Sequence, residues 1–243
     1  MHGGLHHGLR DVGILSGGLL RRGFDRIIGV GGDGTFNEIA NGFFEDDAPL
    51  RTGAAMGVIP AGTNVSGANA RPGDVVIISG TIGDHETAIL VAREGLRLEQ
   101  TIESDCAPLG EMVGRVLAAA PDVHVMRDPT RGGLGTTLNE VASRSGVRIT
   151  IDESSLPMDP RVRSVCDILG FDPIYMANEG KMIAIAPEKA TGSVLDAMRA
   201  HPLGVDAAVI GTVREGAGVS LRTVVGGERP IVMLEGVQLP RIC

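Results

Sequence analysis

Val75-Val76-Ile77-Ile78-Ser79-Gly80 is an apolar run of β-formers closed by serine and glycine, and it reads as a buried strand. Upstream, Arg71-Pro72-Gly73-Asp74 is a turn. Downstream, Thr81-Ile82-Gly83-Asp84-His85-Glu86 leads into a helix ending near Glu94. The next helix, near Pro108 to Ala119, puts Leu109, Met112, Val113, Val116 and Leu117 on one face. Val123 to Met126 is a strand, and Arg127-Asp128-Pro129-Thr130-Arg131-Gly132-Gly133 turns from it into a helix with a buried stripe of Leu134, Leu138 and Val141. Val147 to Asp152 alternates apolar and polar residues, the pattern of a half-buried strand. Then come a helix near Asp159 to Leu169, a loop over Tyr175 to Gly180, a strand at Met182 to Ala186, a helix over Glu188 to Ala200 and a strand over Ala207 to Val213. A hairpin of Val219 to Val225 and Pro230 to Leu234 closes the series across Gly226-Gly227-Glu228. Strands and helices mix without strict βαβ repetition, so the expected fold is an α/β sandwich and not a barrel.

Composition agrees with that class. Aromatics are 2% of the 243 residues and Trp is absent, so the core must be built from Val, Ile, Leu, Ala and Met. A formal charge of -8 leaves no phosphate-backbone footprint, which excludes nucleic acid as an expected partner. No stretch approaches a membrane span of ~20 residues, and no basic segment followed by an apolar run marks export. Three widely spaced cysteines, Cys106, Cys166 and Cys243, make no disulfide framework, and the cytoplasm is the expected compartment.

The first 63 residues read differently from the rest. His2, His6 and His7 stand among glycines without a third spaced ligand, the look of a leader and not of a metal site. Arg26-Ile27-Ile28-Gly29-Val30 reads as a strand, Gly31-Gly32-Asp33-Gly34-Thr35 as a tight turn, and Phe36 to Gly42 as a helix start. Glycines at such a turn let backbone amides approach an anion, so a phosphate could bind there; a tight turn with no ligand fits equally well.

Four further features carry chemistry. The turn over Asp128 to Gly133 gathers several amides and Arg131 into an anion cradle, with close helix packing at Gly132 and Gly133 and an Arg131 to Asp128 pair as the structural alternative. Glu179 lies in the loop Ala177-Asn178-Glu179-Gly180, where a carboxylate can be held partly dehydrated with its pKa raised, although most loop glutamates are solvated. Asp84, His85 and Glu86 form a polar cluster, or equally an N-cap and first-turn charges. Finally, Leu239-Pro240-Arg241-Ile242-Cys243 ends the chain on a thiol. Pro240 stops regular structure and a free thiol has a reference pKa near ~8.5, so Cys243 is either a mobile nucleophile or an unpaired cysteine on a frayed end.

Two resemblances join these features. Gly31 to Thr35 with Asn37-Glu38 and Ile59-Pro60-Ala61-Gly62-Thr63 resemble the nucleotide-binding part of the diacylglycerol and lipid kinase family, in which the glycine turn faces the ATP phosphates. The likeness ends after Thr63, so residues 1–63 are expected to be a short Rossmann-like kinase fragment. Five motifs in order, Ser66 to Asp74, Ser79 to His85, Arg127 to Leu134, Ala177 to Lys181 and Pro240 to Cys243, resemble the HypE family of hydrogenase maturation proteins over residues 64–243.

That second resemblance implies a three-layer α/β sandwich like the C-terminal domain of aminoimidazole ribonucleotide synthetase, carrying a tail that ends in the working thiol. It implies carbamoyl dehydratase chemistry, a lyase reaction that uses ATP with Mg2+. Cys243 receives a carbamoyl group from the carbamoyltransferase HypF, Glu179 acts as base, and the resulting thiocyanate gives cyanide to iron on the HypC-HypD scaffold. A homodimer is also implied. No counterpart of the family's N-terminal ATP domain precedes residue 64, so the chain reads as a hybrid or chimera. An inactive carrier of the tail and a lipid kinase that depends on Asp33 are the competing expectations.

Overall fold

A computed structural model describes residues 64–95 and 100–234 in full and, before them, the backbone of four short strands. The turn at Gly31, Gly32, Asp33, Gly34 and Thr35 and the terminal Cys243 lie outside the described residues. The chain divides into two compact units, Met1–Thr63 and Asn64–Cys243. In the first, β1 (Arg26–Gly29) pairs in parallel with β4 (Ala55–Val58), and β2 (Phe44–Glu45) pairs antiparallel with β3 (Ala48–Pro49).

The second unit is built on a seven-stranded sheet in the order β11-β10-β7-β9-β5-β8-β6. Its members are β5 (Asp74–Ile78), β6 (Val125–Arg127), β7 (Arg148–Asp152), β8 (Ile183–Pro187), β9 (Ala208–Arg214), β10 (Gly218–Arg222) and β11 (Glu228–Ile231). Only β7 and β10 run parallel; every other neighbouring pair is antiparallel. The helices are α1 (Asp84–Glu94), α2 (Gly110–Ala119), α3 (Gly133–Ser145), α4 (Pro160–Leu169) and α5 (Thr191–Arg199).

The apolar run Val75 to Ile78 lies in β5, an internal strand between β9 and β8. Along β5 successive side chains point to opposite faces. Val76 and Ile78 join the cluster under α3, with Leu134, Leu138, Ile183 and Ile185, while Val75 and Ile77 join the cluster under α2 and α5, with Met112, Val116, Ala184 and Met198. A sheet covered on both faces by helices is the expected three-layer α/β sandwich. At about 1.5 to 3 kcal/mol for each fully buried large aliphatic side chain, these two clusters supply most of the favourable folding term. A third cluster, Leu90, Ile102, Val162, Val165, Cys166 and Met176, joins α1 to α4.

One strand differs from its sequence pattern. Arg148–Asp152 alternates polar and apolar residues, yet β7 is not half-buried, because Thr150 is only 5% exposed. The strand is internal, flanked by β9 and β10. The Thr150 hydroxyl is paired with that of Ser220 at 3.2 Å, and Ser220 is in turn bonded to Glu228. A polar side chain can lie on a covered face once it has a partner, so alternation did not mark solvent here.

Candidate active site

Three of the sequence motifs meet at one end of the sheet, and strand register is the reason. Ile78 is opposite Ile183 and Arg127 is opposite Ile183 as well, so the residues after β5, after β6 and before β8 leave the sheet side by side. These are Ser79 to Glu86, Asp128 to Gly133 and Ala177 to Met182. Ser79 extends the β5 to β8 ladder: its N–H donates to the Met182 carbonyl and its hydroxyl oxygen accepts from the Met182 N–H, each at 2.9 Å.

The loop before β8 is held amide by amide. The Ala177 N–H donates to the Glu86 carboxylate at 2.5 Å, and the Glu86 N–H returns a bond to the Ala177 carbonyl at 3.3 Å. The Asn178 N–H donates to the Pro129 carbonyl at 3.2 Å. The Glu179 N–H donates to Asp105 Oδ1 at 3.0 Å. Asn178 is fully buried, and its side chain accepts from the Gly83 N–H at 2.8 Å and donates to the carbonyls of Pro129 and Met176, each at 3.0 Å. A Cβ on Gly180 would stand 1.7 Å from the Asp105 carbonyl oxygen, so only glycine permits the crossing of these two segments. Such a loop is pre-organised, with its consecutive amides committed to the protein itself.

Charge is arranged around it. Lys181, with 12% of its side chain exposed, places Nζ 3.2 Å from Asp105 Oδ2 and 3.4 Å from Asp84 Oδ2. Asp84 also accepts from the Thr81 hydroxyl, and His85 Nδ1 is 2.8 Å from the Ser104 hydroxyl. Glu179 itself is exposed. The expectation of a partly dehydrated Glu179 is therefore corrected within this unit: the loop fixes the backbone and leaves the side chain in water. The carboxylate whose pKa is raised is Glu86, lifted by burial against the opposing pull of the Ala177 N–H and His85.

The three acidic and basic groups at 84–86 do not cap α1. The N-cap is Gly83 at φ +82°, with no side-chain cap, while Asp84 and Glu86 are first-turn charges of α1 that also bond the loop before β8 and Lys181. At the second turn, Arg131 is exposed and makes no ion pair with Asp128, while Gly132 is the N-cap of α3 with no side-chain cap. A Cβ on Gly133 would lie 2.5 Å from the Met176 carbonyl oxygen, so this glycine seats α3 against the segment that leads into the Glu179 loop. The Gly133 N–H is already given to the Thr130 carbonyl, but the Thr136 hydroxyl, covering Gly132 in the first turn of α3, is buried without a hydrogen-bond partner.

Sequence reasoning missed Asp105 and Lys181. Asp105 sits in an aperiodic stretch with nothing to single it out, and Lys181 was one letter of a longer motif; both gain meaning only where Gly180 lets residues 104–106 cross the loop. Among the described residues no group of three or more His, Cys, Asp or Glu side chains is placed to hold a metal, and no helix is long and apolar enough to cross a membrane.

The family described as AIR synthase related protein, C-terminal domain, matches residues 71–224, a span that takes in the sheet and the loop. The chain belongs to that family. The diacylglycerol kinase catalytic domain family also matches, over residues 14–93. Within the AIR synthase related family the likeness is to HypE. A carbamoyl dehydratase HypE of Cupriavidus necator is 49% identical over 199 residues, covering 81% of this chain and 57% of that protein. A solved hydrogenase maturation protein HypE in complex with ATP superposes with a TM-score of 0.69 at 35% identity, covering 88% of this chain and 73% of the other. HypE from a HypE-HypF complex gives 0.69 at 31% identity, covering 85% and 75%. The chain thus spans under three fifths of the length of the curated relative it matches.

Proposed function

We propose that this chain serves nickel-iron hydrogenase maturation in the cytoplasm as a carbamoyl dehydratase, working on a carbamoyl group carried by the sulfur of Cys243. The observation that carries the reading is the Ala177 to Gly180 loop. Its amides are tied down by Glu86, Pro129 and Asp105, and it offers the single free carboxylate of Glu179 to whatever is brought to it. A HypE relative 49% identical over 199 residues supports a carbamoyl group as what is brought there.

The chemistry balances on this chain's own groups. An amide oxygen is a poor leaving group, so the carbamoyl oxygen attached through carbon to Cys243 takes a phosphoryl group from ATP, and ADP departs with one N–H proton released. Glu179 then takes the remaining N–H proton as the C–O bond breaks and phosphate leaves, and the carbon is left triply bonded to nitrogen as a thiocyanate. Cyanide transfer from that sulfur to iron on the HypC-HypD complex would follow, as a reductive step in which two electrons from an external reductant break the S–C bond, leaving Cys243 as thiolate and cyanide on the iron.

ATP is a substrate here, and the turn at Arg131, Gly132 and Gly133 suits its transferred phosphoryl group. It combines an uncapped helix N-terminus, an exposed guanidinium and the unpartnered Thr136 hydroxyl. Among the described residues no three His, Cys, Asp or Glu side chains converge to hold a metal, so magnesium would be held mainly by the phosphates of ATP. The HypE-HypF complex among the structural neighbours supports HypF as the donor of the carbamoyl group, and a homodimer is part of the same reading.

The kinase match favours a second reading, ATP-dependent lipid phosphorylation centred on Gly31, Gly32, Asp33, Gly34 and Thr35. Against it, the last part of that match contains β5, an internal strand of the HypE-like sheet. The deciding experiment supplies ATP, carbamoyl phosphate and the partner carbamoyltransferase and weighs the C-terminal peptide. Gain of a carbamoyl group followed by loss of one water is expected, and is abolished by Cys243→Ser but not by Asp33→Ala. Gain without loss of water means a carrier; no gain at all defeats the HypE reading.

A further inference from the structure

Lys181 is the positive charge among Asp84, Asp105 and Glu179, and its reach to Glu179 runs through one intermediary. Asp105 has only 3% of its side chain exposed. Its Oδ1 accepts the Glu179 amide at 3.0 Å, and its Oδ2, buried and without a hydrogen-bond partner, lies 3.2 Å from Lys181 Nζ. The same Nζ is 3.4 Å from Asp84, which opens α1 and takes the Thr81 hydroxyl. The remaining charged neighbours are His85 and Glu86 on α1, with Arg161 on α4 acting electrostatically on Asp84. The lysine stem packs over Gly80, where a Cβ would stand 3.2 Å from its Cε.

From this arrangement we propose that Lys181 is a positioning residue for Glu179, acting through Asp105. The ammonium neutralises two carboxylates that would otherwise face each other in a poorly hydrated site, and Asp105 passes that restraint to the Glu179 backbone. A buried carboxylate that loses its cation must move, hydrate or protonate. Any of the three releases the Glu179 amide and lets the reactive carboxylate drift by the ångström or so that catalytic geometry does not tolerate. The inference rests on the dehydratase reading for its catalytic consequence and on the geometry alone for the restraint.

Residue-resolved amide exchange on the full chain tests the restraint. In Lys181→Met the Glu179 amide is expected to exchange at least about tenfold faster than in wild type, with Ala177, held by Glu86, and Ile77, inside β5, within about twofold. Lys181→Arg should restore Glu179 protection, because a guanidinium can bridge two carboxylates. In the carbamoylation assay Lys181→Met should load Cys243 at the wild-type rate and lose water at least about tenfold more slowly, lowering kcat while leaving KM for ATP unchanged. Unchanged Glu179 exchange in Lys181→Met overturns the proposal. So does exchange that rises equally at Glu179 and Ile77, which would make Lys181 a support of the whole fold. A wild-type chain that loads but never loses water defeats the dehydratase reading instead, and the exchange comparison still judges Lys181.

Discussion

Gly133 holds φ at +59°, and the space where a Cβ would go is filled by the backbone of Ile174, Tyr175 and Met176. Both the dihedral and the contact oppose any side chain, so Gly133→Ala is expected to lower stability by more than about 2 kcal/mol in urea titration. Reactivity at single residues follows the same local logic. Cys166, on α4, is fully buried in the cluster that joins α4 to α1, and its thiol is pushed up to about 11, chiefly by burial. Cys106 is exposed beside the site. In native alkylation at about pH 8, peptide mapping should find Cys106 modified at least about a hundredfold faster than Cys166, since the thiolate is the reacting species.

At the scale of elements, α1 and the loop before β8 are joined by Glu86, whose pKa burial raises above the ordinary carboxylate value. The native state therefore keeps a proton that the unfolded chain has already given up. Stability is highest below the ordinary carboxylate pKa, falls as pH rises through the raised native value, and stays lower above it. Glu86→Gln preserves an acceptor for the Ala177 N–H and removes the titration. Its stability relative to wild type should rise steadily from about pH 4 to about pH 7 in parallel urea titrations. A flat difference would mean that the carboxylate is hydrated in solution. The edge strand β11 shows another use of element chemistry: Glu228, Arg229 and Pro230 place charge and a missing donor where an unpaired strand would invite further pairing.

At the scale of the second unit, the buried residues described in the two clusters on the faces of the seven-stranded sheet run from Ala70 to Ile231. Those clusters are built from the second unit's own residues, so a chain beginning at Asn64 should unfold cooperatively, with a Tm within about 5 °C of the corresponding transition in the full chain. A shift much larger than that would show that residues 1–63 contribute to this core. The same expression test separates the two family likenesses, since the kinase match begins at residue 14 and the AIR synthase related match at residue 71.

Much of this was legible in the amino-acid order. The all-apolar β5, the Leu134, Leu138 and Val141 stripe and the Met112 and Val116 face announce themselves because burial on a strand or helix imposes a fixed period. Glycine motifs and the Asn178-Glu179 dipeptide carried the family likeness because a close backbone crossing and a buried amide network each demand particular residues. What the chain order could not disclose is which distant groups share a site. Asp105 meets Glu179 and Lys181 only because antiparallel register brings the ends of β5, β6 and β8 together and Gly180 lets a remote segment cross them. Hydration, too, was decided in three dimensions: it left Glu179 in water and dried Glu86, since burial depends on what packs over a residue and not on its neighbours in the chain.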